Sequence, residues 1–362
     1  MKVSAIRLHQ LKLPLTKPYR VSFRTYTEFE PILVQALGTA GETGWGEAYI
    51  PTGASAETSD TGWTYCKEQA EKIVGRTVAE AKTLIDRTVE SAPFAATAMM
   101  TALDMLARHP ALHTTKETRI PLLVPISGKA EGEIQDEVDR LVDTGYGTLK
   151  VKVGWKVDDD LARVGYVQKA MRDRARITMD ANRGYSKAQG VEFAAALKPA
   201  GIDLFEQPCG AEDWDGNTAV AKAATVPLML DESIRGLADI ERASKIPGVR
   251  FVKLKLKRIG GIDRAVAAMQ RANQVGLDIC LGDGVATELM CWVEACTGRG
   301  YLKRAGDMNG YLKPKVRLLK EPLPFERGAL VLRPGFWPEV DEKLLKDHTQ
   351  RSERFGAATA AA

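Results

Sequence analysis

The chain has 362 residues, enough for about two domains. Its 51 basic and 47 acidic residues leave a formal charge of +4, which argues against a nucleic-acid binder, and its 44% apolar content excludes a largely disordered chain. Five cysteines without a CxxC pair argue against a disulfide scaffold or a cysteine zinc site. Since the sequence has no signal-peptide pattern and no apolar run near about 18 residues, we expect a cytoplasmic protein with no membrane span.

The first 120 residues predict an α+β domain. The segments KVSAIRLHQLKLP and EPILVQALGT alternate as antiparallel strands do, with a connecting loop at 17–30, and GETGWGEA indicates a turn and a third strand. Helical patterns follow near 62–74, 78–88 and 95–108. We therefore expect a separate domain over residues 1–120.

From about residue 120 onward, β-type runs alternate with helical stretches. This alternation predicts right-handed parallel βαβ units, and eight runs favour a closed barrel over an open sheet. The runs are LLVPIS (122–127), TLKVKV (148–153), RITMDA (176–181), IDLFEQ (202–207), PLMLDE (227–232), RFVKLKL (250–256), LDICLGD (277–283) and YLKRAGD (301–307). We expect the barrel over 121–320. The segment 321–362, read as a short strand, a turn and a helix, is expected to fold back onto the first domain.

Charged residues end seven of these runs at intervals of 24 to 28 residues. They are Lys152, Asp180, Glu206, Asp231, Lys255, Asp283 and Asp307. A charge after one strand is commonly a solvated loop entry, but in a closed barrel the carboxyl ends of all strands meet at one mouth. The period therefore predicts a functional site there.

Three carboxylates, those of Asp180, Glu206 and Asp231, end successive runs. At neighbouring strand ends they would repel one another and raise the pKa of one or more of them, unless a cation lies between them. A set of oxygen ligands without His or Cys favours Mg²⁺ over zinc, and Asn182 faces the same side as Asp180 and could support the site. The alternative is pairing of these carboxylates with lysines.

Lysines alternate along two of the runs. Lys150 and Lys152 point to one face of their strand, and Lys253, Lys255 and Lys257 do the same four strands later, which is the opposite wall of an eight-stranded barrel. Two lysines facing each other suit proton transfer at both faces of one carbon, provided that nearby positive charge depresses the pKa of the base. The pattern does not decide which of the three later lysines reaches the centre.

This combination predicts a reaction class. Removing a proton next to a carboxylate is difficult because the carbon acid is very weak. A Mg²⁺ that chelates the carboxylate stabilises the enediolate by several kcal/mol.

These motifs resemble the enolase superfamily, in its muconate-lactonizing-enzyme subgroup, over nearly the whole chain. LKVKVG resembles a KxK motif, MDANRGYS, FEQP and LDES resemble three metal-ligand motifs, and KLKRIGG resembles the motif of the opposite base. The resemblance implies a (β/α)7β TIM-like barrel with an N-terminal α+β capping domain that the C-terminal segment completes. It implies Mg²⁺ on Asp180, Glu206 and Asp231. Lys152 and Lys255 would then be the acid/base pair, and Lys150 the electrostatic partner of Lys152.

Some residues depart from that pattern or vary within it. None of the four histidines lies in the predicted mouth, which favours two-lysine chemistry over the branch that uses His. Asp283 is unusual and is expected either to contact substrate or to cap the next helix. Asp307 remains from the DxD pair that holds the substrate ammonium in the dipeptide epimerases, whereas Asn309 replaces the second acid. This change argues against a dipeptide and leaves an amino-acid-like or betaine-like substrate open. Further candidate substrate contacts lie in the first-domain loop: Tyr19, Arg20, Phe23 and Arg24.

We therefore expect a Mg²⁺-dependent racemase or epimerase of a nitrogen-containing carboxylate. Because the same machinery supports other reactions, a dehydratase of a hydroxy amino acid, a cycloisomerase and an o-succinylbenzoate-synthase-like lyase remain alternatives. A non-catalytic protein on a decayed barrel is disfavoured because every expected acid, base and ligand is present. The expected partners are a small carboxylate and further copies of the chain in a homo-oligomer.

Overall fold

The computed structural model describes residues 1–21, 24–51 and 56–356. The first domain begins with the strands β1 (Val3–Leu11), β2 (Leu13–Val21), β3 (Arg24–Phe29), β4 (Ile32–Gly38) and β5 (Thr43–Ala48). β1, β4 and β5 form an antiparallel sheet, while β2 and β3 form a separate hairpin in which Tyr19 pairs with Tyr26. The predicted loop at 17–30 is therefore wrong, because most of it belongs to this hairpin.

Three helices follow the sheet: α1 (Ser59–Ile73), α2 (Val78–Asp86) and α3 (Pro93–Leu106). Each starts at a residue suited to a helix N-terminus. Thr58 and Thr77 accept hydrogen bonds from backbone N–H groups in the first turns of α1 and α2, and Pro93 opens α3. The three predicted helices are thus confirmed to within a few residues.

The GWGEA segment owes its two glycines to the close approach of β5 and α3. A Cβ added at Gly44 would lie 2.1 Å from the carbonyl oxygen of Ala102, and one at Gly46 would lie 1.9 Å from that of Ala98. Since no side chain fits at these distances, glycine lets the two backbones touch. Residues 94–106 of α3 are all buried, so this helix is the centre of the first domain.

The second domain is a parallel barrel. After β6 (Thr118–Pro121), seven strands lie side by side in chain order. They are β7 (Val124–Pro125), β8 (Thr148–Lys152), β9 (Arg176–Asp180), β10 (Ile202–Glu206), β11 (Leu228–Leu230), β12 (Val249–Leu254) and β13 (Asp278–Leu281). The alternating β/α pattern is thereby confirmed.

The eighth predicted run closes the barrel without forming a regular strand. Within residues 301–307, all of them described, Gly306 alone makes a ladder bridge, to Leu122. The amide of Leu123 donates to the Gly306 carbonyl at 3.0 Å, and the amide of Asp307 donates to the Leu281 carbonyl at 2.9 Å. This single position therefore links β13 to the start of β7, and the barrel has a (β/α)7β character.

Helices on the outside connect the strands. They are α4 (Glu131–Asp143), α5 (Val157–Met171), α6 (Lys187–Ala196), α7 (Trp214–Ala223), α8 (Leu237–Ser244), α9 (Leu256–Ile259), α10 (Ile262–Gln274) and α11 (Glu288–Gly298). Short 3₁₀ turns occur at Val89–Ser91, Pro110–Leu112 and Gly310–Leu312. No helix of the described residues has both the length and the apolarity needed to cross a bilayer, and all five cysteines are buried free thiols.

The C-terminal segment returns to the first domain. It contains β14 (Phe325–Glu326), β15 (Ala329–Leu332), α12 (Glu342–His348) and β16 (Thr349–Gly356). β15 pairs with β6, and β16 pairs with β1 at the edge of the first sheet. The sequence pattern does not indicate β16, because TQRSERFG has few apolar residues and occupies an edge strand with a largely exposed or half-buried surface.

The two domains meet at the first turn of α11. The Glu47 carboxylate accepts hydrogen bonds from the Thr287 amide at 2.8 Å, the Thr287 hydroxyl at 2.6 Å and the Met290 amide at 3.2 Å. A buried carboxylate is favourable here because the helix N-terminus presents free N–H groups and positive partial charge. GWGEA thus supplies both the close packing of the first domain and its attachment to the barrel.

Candidate active site

The barrel strands carry apolar residues deep in the interior and charged residues above them on the same face. Leu204 lies two positions before Glu206, and Phe251 lies two positions before Lys253, and the deeper residues belong to one apolar cluster inside the barrel. Because successive inward side chains are two residues apart, this order places the charges at the carboxyl ends of the strands. The regular spacing of charged residues in the sequence therefore corresponds to a charged mouth that lies above an apolar layer inside the barrel.

Three carboxylates come from consecutive strands at this mouth. Asp180 ends β9, Glu206 ends β10 in register with it, and Asp231 follows β11. Each residue is at most 1% exposed. The side chain of Gln207 supports the third position, since its carbonyl oxygen accepts a hydrogen bond from the Asp231 amide at 2.8 Å.

Lys152 and Lys150 occupy one wall, on β8. The ammonium of Lys152 donates to Asp180 Oδ2 and to Asn182 Oδ1, both at 2.6 Å. Lys150 Nζ lies 2.9 Å from Asp180 Oδ2 and 2.7 Å from Glu206 Oε2. Asn182 has a left-handed backbone (φ 42°), which asparagine tolerates, and its amide donates to Asp180 Oδ1 at 2.8 Å.

Lys255 occupies the opposite wall, directly after β12. Its ammonium donates to Asp231 Oδ2 at 2.8 Å, and Arg258 donates to Asp231 Oδ1 at 3.1 Å. Lys253 lies two residues earlier on the same face, and therefore deeper, and its ammonium donates to Glu206 Oε1 at 3.1 Å. Lys257 lies 2.7 Å from Asp283 Oδ2 instead of contacting the three carboxylates.

Exposure separates the five lysines. The side chains of Lys152 and Lys255 are 9% and 14% exposed, whereas those of Lys150, Lys253 and Lys257 are 2 to 4% exposed. Lys152 and Lys255 therefore offer the most accessible ammonium-bearing side chains on the two walls.

The charges of the mouth shift its pKa values strongly. Burial lowers the pKa of Lys255, but the Asp231 and Asp283 carboxylates outweigh burial and raise it. Burial likewise acts against the charged form of Asp180, yet Lys150 and the lysines beside it hold the pKa of this carboxyl below its usual value. In this arrangement the Asp231 carboxylate therefore favours the ammonium form of Lys255.

Asp283, Asp307 and Asn309 are all buried among protein partners. The Asp283 carboxylate pairs with Lys257 and accepts a hydrogen bond from the Val285 amide at 3.0 Å. It does not cap the next helix, because Thr287 fills that position. Asp307 Oδ2 contacts the ammonium groups of Lys253 and Lys150, the latter at 3.1 Å, and Asp307 Oδ1 accepts from the Asn309 amide at 2.9 Å. Both Asp307 oxygens are thus engaged inside the protein, contrary to the expectation of a free acid for a substrate ammonium.

A cleft of about 1060 Å³ opens beside Lys152 between the hairpin and the barrel. Tyr19 and Asn309 line it, as do Lys313 and Trp155. The predicted contact Tyr19 therefore borders this cleft. Arg20 and Arg24 lie in the hairpin backbone, but their side chains, like the whole of Phe23, fall outside the described residues.

Oxygen donors at the mouth suit a hard divalent cation. Asp180, Glu206 and Asp231 are buried carboxylates that already bind positive charge from lysines, and Glu206 Oε2 accepts no well-directed hydrogen bond within the described part of the chain. Mg²⁺ prefers such ligands, so the donor set fits it. Lys150 lies between two of these carboxylates in the present arrangement.

A second cluster of possible metal ligands lies away from the mouth. Asp104, His109 and Asp263 bring ligand atoms within 4.8 Å of one another. Lys82 already supplies positive charge there, with Nζ 2.5 Å from Asp104 Oδ1 and 2.8 Å from Asp263 Oδ2. We interpret this cluster as an ion-pair network at the junction of the domains.

The family described as Enolase C-terminal domain-like matches residues 133–344. The chain belongs to this family. It is therefore an enzyme of the enolase superfamily, in the muconate-lactonizing subgroup that the sequence motifs resemble.

Relatives extend over nearly the whole chain. An N-succinyl-L-Arg/Lys racemase of Bacillus cereus is 24% identical over 366 residues, which cover 96% of this chain and 98% of that protein. The structure of a dipeptide epimerase from Cytophaga hutchinsonii, complexed with Mg and the dipeptide D-Ala-L-Val, superimposes with a TM-score of 0.89 at 20% identity, covering 98% of this chain and 100% of that chain. A muconate lactonizing enzyme from Pseudomonas fluorescens gives a TM-score of 0.89 at 21% identity, covering 96% and 99%.

Two residues of this enolase-superfamily mouth escaped the sequence analysis. Lys313 lines the cleft, but it follows the last strand end by six residues and belongs to no periodic pattern. Arg258 follows the KxK run, and nothing in its spacing indicates that it holds Asp231. Lys313 lies in a loop and Arg258 in the short helix α9, and neither position belongs to the regular spacing of the strand ends.

Proposed function

We propose that this enzyme removes and returns a proton at the carbon next to a substrate carboxylate, with Lys152 and Lys255 acting on opposite faces. The observation that carries the proposal is the pairing of these two lysines with the outer members of the carboxylate set. Lys152 donates to Asp180 at 2.6 Å and Lys255 donates to Asp231 at 2.8 Å, from strands that lie four apart around the barrel.

Asp180, Glu206 and Asp231 would hold Mg²⁺. When bound there, Mg²⁺ would supply positive charge that stabilises negative charge developing on the substrate carboxylate. Support for this assignment comes from the buried oxygen-only donor set and from membership of the enolase superfamily.

The two lysines would divide the proton transfer. The neutral amine of one lysine takes the proton as the C–H bond breaks, and the bonding electron pair moves into the substrate carboxylate group. The ammonium of the other lysine then gives a proton to the opposite face of the same carbon, which inverts its configuration. Lys150 and Lys253, both nearly inaccessible, would balance the charge of Glu206 and Asp307.

Racemisation or epimerisation of a nitrogen-containing carboxylate is favoured over elimination and cycloisomerisation. Inversion needs an acid/base group on each face, and the most accessible lysines occur on both walls. The relatives that act on N-succinyl amino acids and dipeptides support an amino-acid-derived substrate. Dehydration of a hydroxy amino acid, cycloisomerisation and an o-succinylbenzoate-synthase-like reaction are the alternatives.

Solvent exchange tests the proposal. The protein with Mg²⁺ would be incubated in D₂O with both enantiomers of a panel of N-acyl amino acids, and the α-proton signal and the optical rotation followed together. Racemisation replaces the α-proton by deuterium and inverts the centre. Elimination requires a member of the panel with a β-hydroxyl group, whose Cβ–O bond breaks as water leaves and an alkene forms.

Two variants assign the bases. Lys152→Ala and Lys255→Ala should each lose racemisation but retain ligand binding, and each should exchange only the enantiomer whose proton faces the remaining lysine. Lys222→Ala, at an exposed helical position, is the matched control and should behave as the wild type. Unchanged racemisation in both mouth variants would refute the assignment.

A further inference from the structure

Lys313 is a mouth lysine without a carboxylate partner. Its ammonium donates to the carbonyl oxygens of Gly284, at 2.7 Å, and of the Asn309 side chain. It also lies 4.7 Å from the centre of the Tyr19 ring. In the described part of the chain no carboxylate oxygen comes within 4.0 Å of it, so its charge meets neutral partners only.

The lysines at the carboxyl ends of β8 and β12 are all paired. Lys150, Lys152, Lys253, Lys255 and Lys257 each lie within 3.1 Å of at least one carboxylate oxygen. A partly buried ammonium without a counter-charge is unfavourable, because it loses hydration that neutral acceptors replace incompletely. Burial accordingly lowers the pKa of Lys313 to about 8.

The position of Lys313 in the cleft indicates where a counter-charge would come from. Lys313 lines the same cleft as Lys152 and Tyr19, so a ligand that reaches Lys152 has room to extend toward it. One of its two neutral acceptors is the side-chain amide oxygen of Asn309. An aspartate at this position would neutralise the ammonium from within the protein, but asparagine carries no charge. Lys17 and Lys129 also line this cleft and add positive charge at its exposed edge.

We infer that Lys313 binds an anionic group of the substrate that is distant from the reacting carbon. The substrate class is then a dianion, in which a second anionic group lies away from the carboxylate next to the reacting carbon. This inference rests on the proposed function for the location of the first carboxylate, and it assigns Lys313 as a specificity-determining residue that takes no part in proton transfer.

Binding of two ligands that differ in one group tests the inference. The probes are N-succinyl-L-phenylalanine and N-butanoyl-L-phenylalanine, in which a methyl group replaces the distal carboxylate, and their affinities would be measured calorimetrically with Mg²⁺ present. The wild type should prefer the succinyl ligand by about 10-fold or more, as expected for a charge-assisted hydrogen bond. Lys313→Met should lose most of that preference, and Lys313→Arg should keep it.

The control is Lys315→Met, which removes an exposed lysine two residues away and should leave both affinities unchanged. Equal weakening of the two ligands in Lys313→Met would indicate a structural role and overturn the inference, as would a wild type that binds both ligands equally. Because the readout is binding, the result stands apart from the proton-transfer roles. If Lys152 and Lys255 prove unnecessary for exchange, the ligand preference still decides the role of Lys313.

Discussion

Replacing Lys82 should destabilise the junction between the first domain and the barrel. Its ammonium lies 2.5 Å from Asp104 Oδ1 on α3 and 2.8 Å from Asp263 Oδ2 on the barrel helix α10. His109 Nε2 adds a contact of 3.0 Å to the other Asp263 oxygen. Lys82→Met keeps the length of the side chain and removes the charge.

The expected loss follows from the burial of each partner. The Asp104 side chain is 1% exposed, and breaking a buried ion pair by removing one partner costs about 3 to 5 kcal/mol. Since the Lys82 side chain is 22% exposed and water reaches it, we take the lower value, about 3 kcal/mol. The pair with Asp263, whose side chain is 64% exposed, adds less than about 1 kcal/mol.

Thermal unfolding measures this loss. An unfolding entropy of about 2.1 cal/mol/K per residue amounts to about 0.8 kcal/mol/K for 362 residues, so about 3 kcal/mol lowers Tm by about 4 °C. Lys67→Met, which removes an exposed pair with Glu353, is the control and should change Tm by about 1 °C or less.

The sign of the pH dependence follows from Asp104. Burial raises the pKa of Asp104 in the folded protein, against the opposing charge of Lys82, and removing Lys82 raises it further. A folded-state pKa above the unfolded value means that stability is present at low pH and is lost as the pH rises through the folded value. The free-energy deficit of Lys82→Met relative to the wild type should therefore grow as the pH rises above the usual pKa range of an aspartate.

A second substitution decides whether the buried charge is the cause. Asp104→Asn combined with Lys82→Met leaves no buried charge, so the double variant should recover most of the lost Tm. A double variant as unstable as Lys82→Met alone would show that the ion pair is not what Lys82 contributes.

Three further outcomes are expected. Gly46→Ala places a Cβ 1.9 Å from the Ala98 carbonyl and should lower stability by about 3 kcal/mol, whereas Gly132→Ala, in open space on a helix, should raise it by about 0.5 to 1 kcal/mol, both measured by thermal unfolding. The preference for the succinyl ligand should be full below pH 8 and fall as Lys313 loses its proton above about pH 8, while Lys313→Arg should keep it to higher pH. The ionisable groups nearest Lys313 do not produce this transition, since the pKa values of Asp307 and Asp283 are lowered by neighbouring lysines despite burial and that of the Cys291 thiol is raised by burial. Treatment with EDTA should abolish α-proton exchange, and added Mg²⁺ should restore it.

The sequence predicted the barrel and its mouth because one physical rule connects them. Parallel strands joined by helices all end on the same side, so a charge at each strand end must face the same space. Strand order alone therefore predicts that Asp180 and Glu206 lie side by side, and in the structure they are in register.

The features that the sequence did not predict depend on information that a regular spacing of residues does not contain. β16 is a polar edge strand whose pairing with β1 is decided by tertiary packing, and polar residues within β2 and β3 concealed the hairpin that these two strands form. Lys313 lies in a loop, where sequence spacing gives no direction for a side chain. Each omission concerns a segment whose structure is fixed by its neighbours in the fold.

Depth along the strand explains why the Asp307 carboxylate contacts lysines instead of lining the cleft. Alternation places Lys150 and Lys152 on one face, but the earlier residue of the pair lies deeper, and the same holds for Lys253 and Lys255. The deeper lysines contact the Asp307 carboxylate, whereas the outer lysines contact Asp180 and Asp231, and Lys152 also borders the cleft. A strand-end acid can therefore serve either the ligand or the lysines beneath it, and the choice is set by how far the neighbouring strands extend. Because the closing strand is reduced to Gly306, its acid is drawn toward the deeper pair, and the counter-charge for Lys313 is left to the substrate.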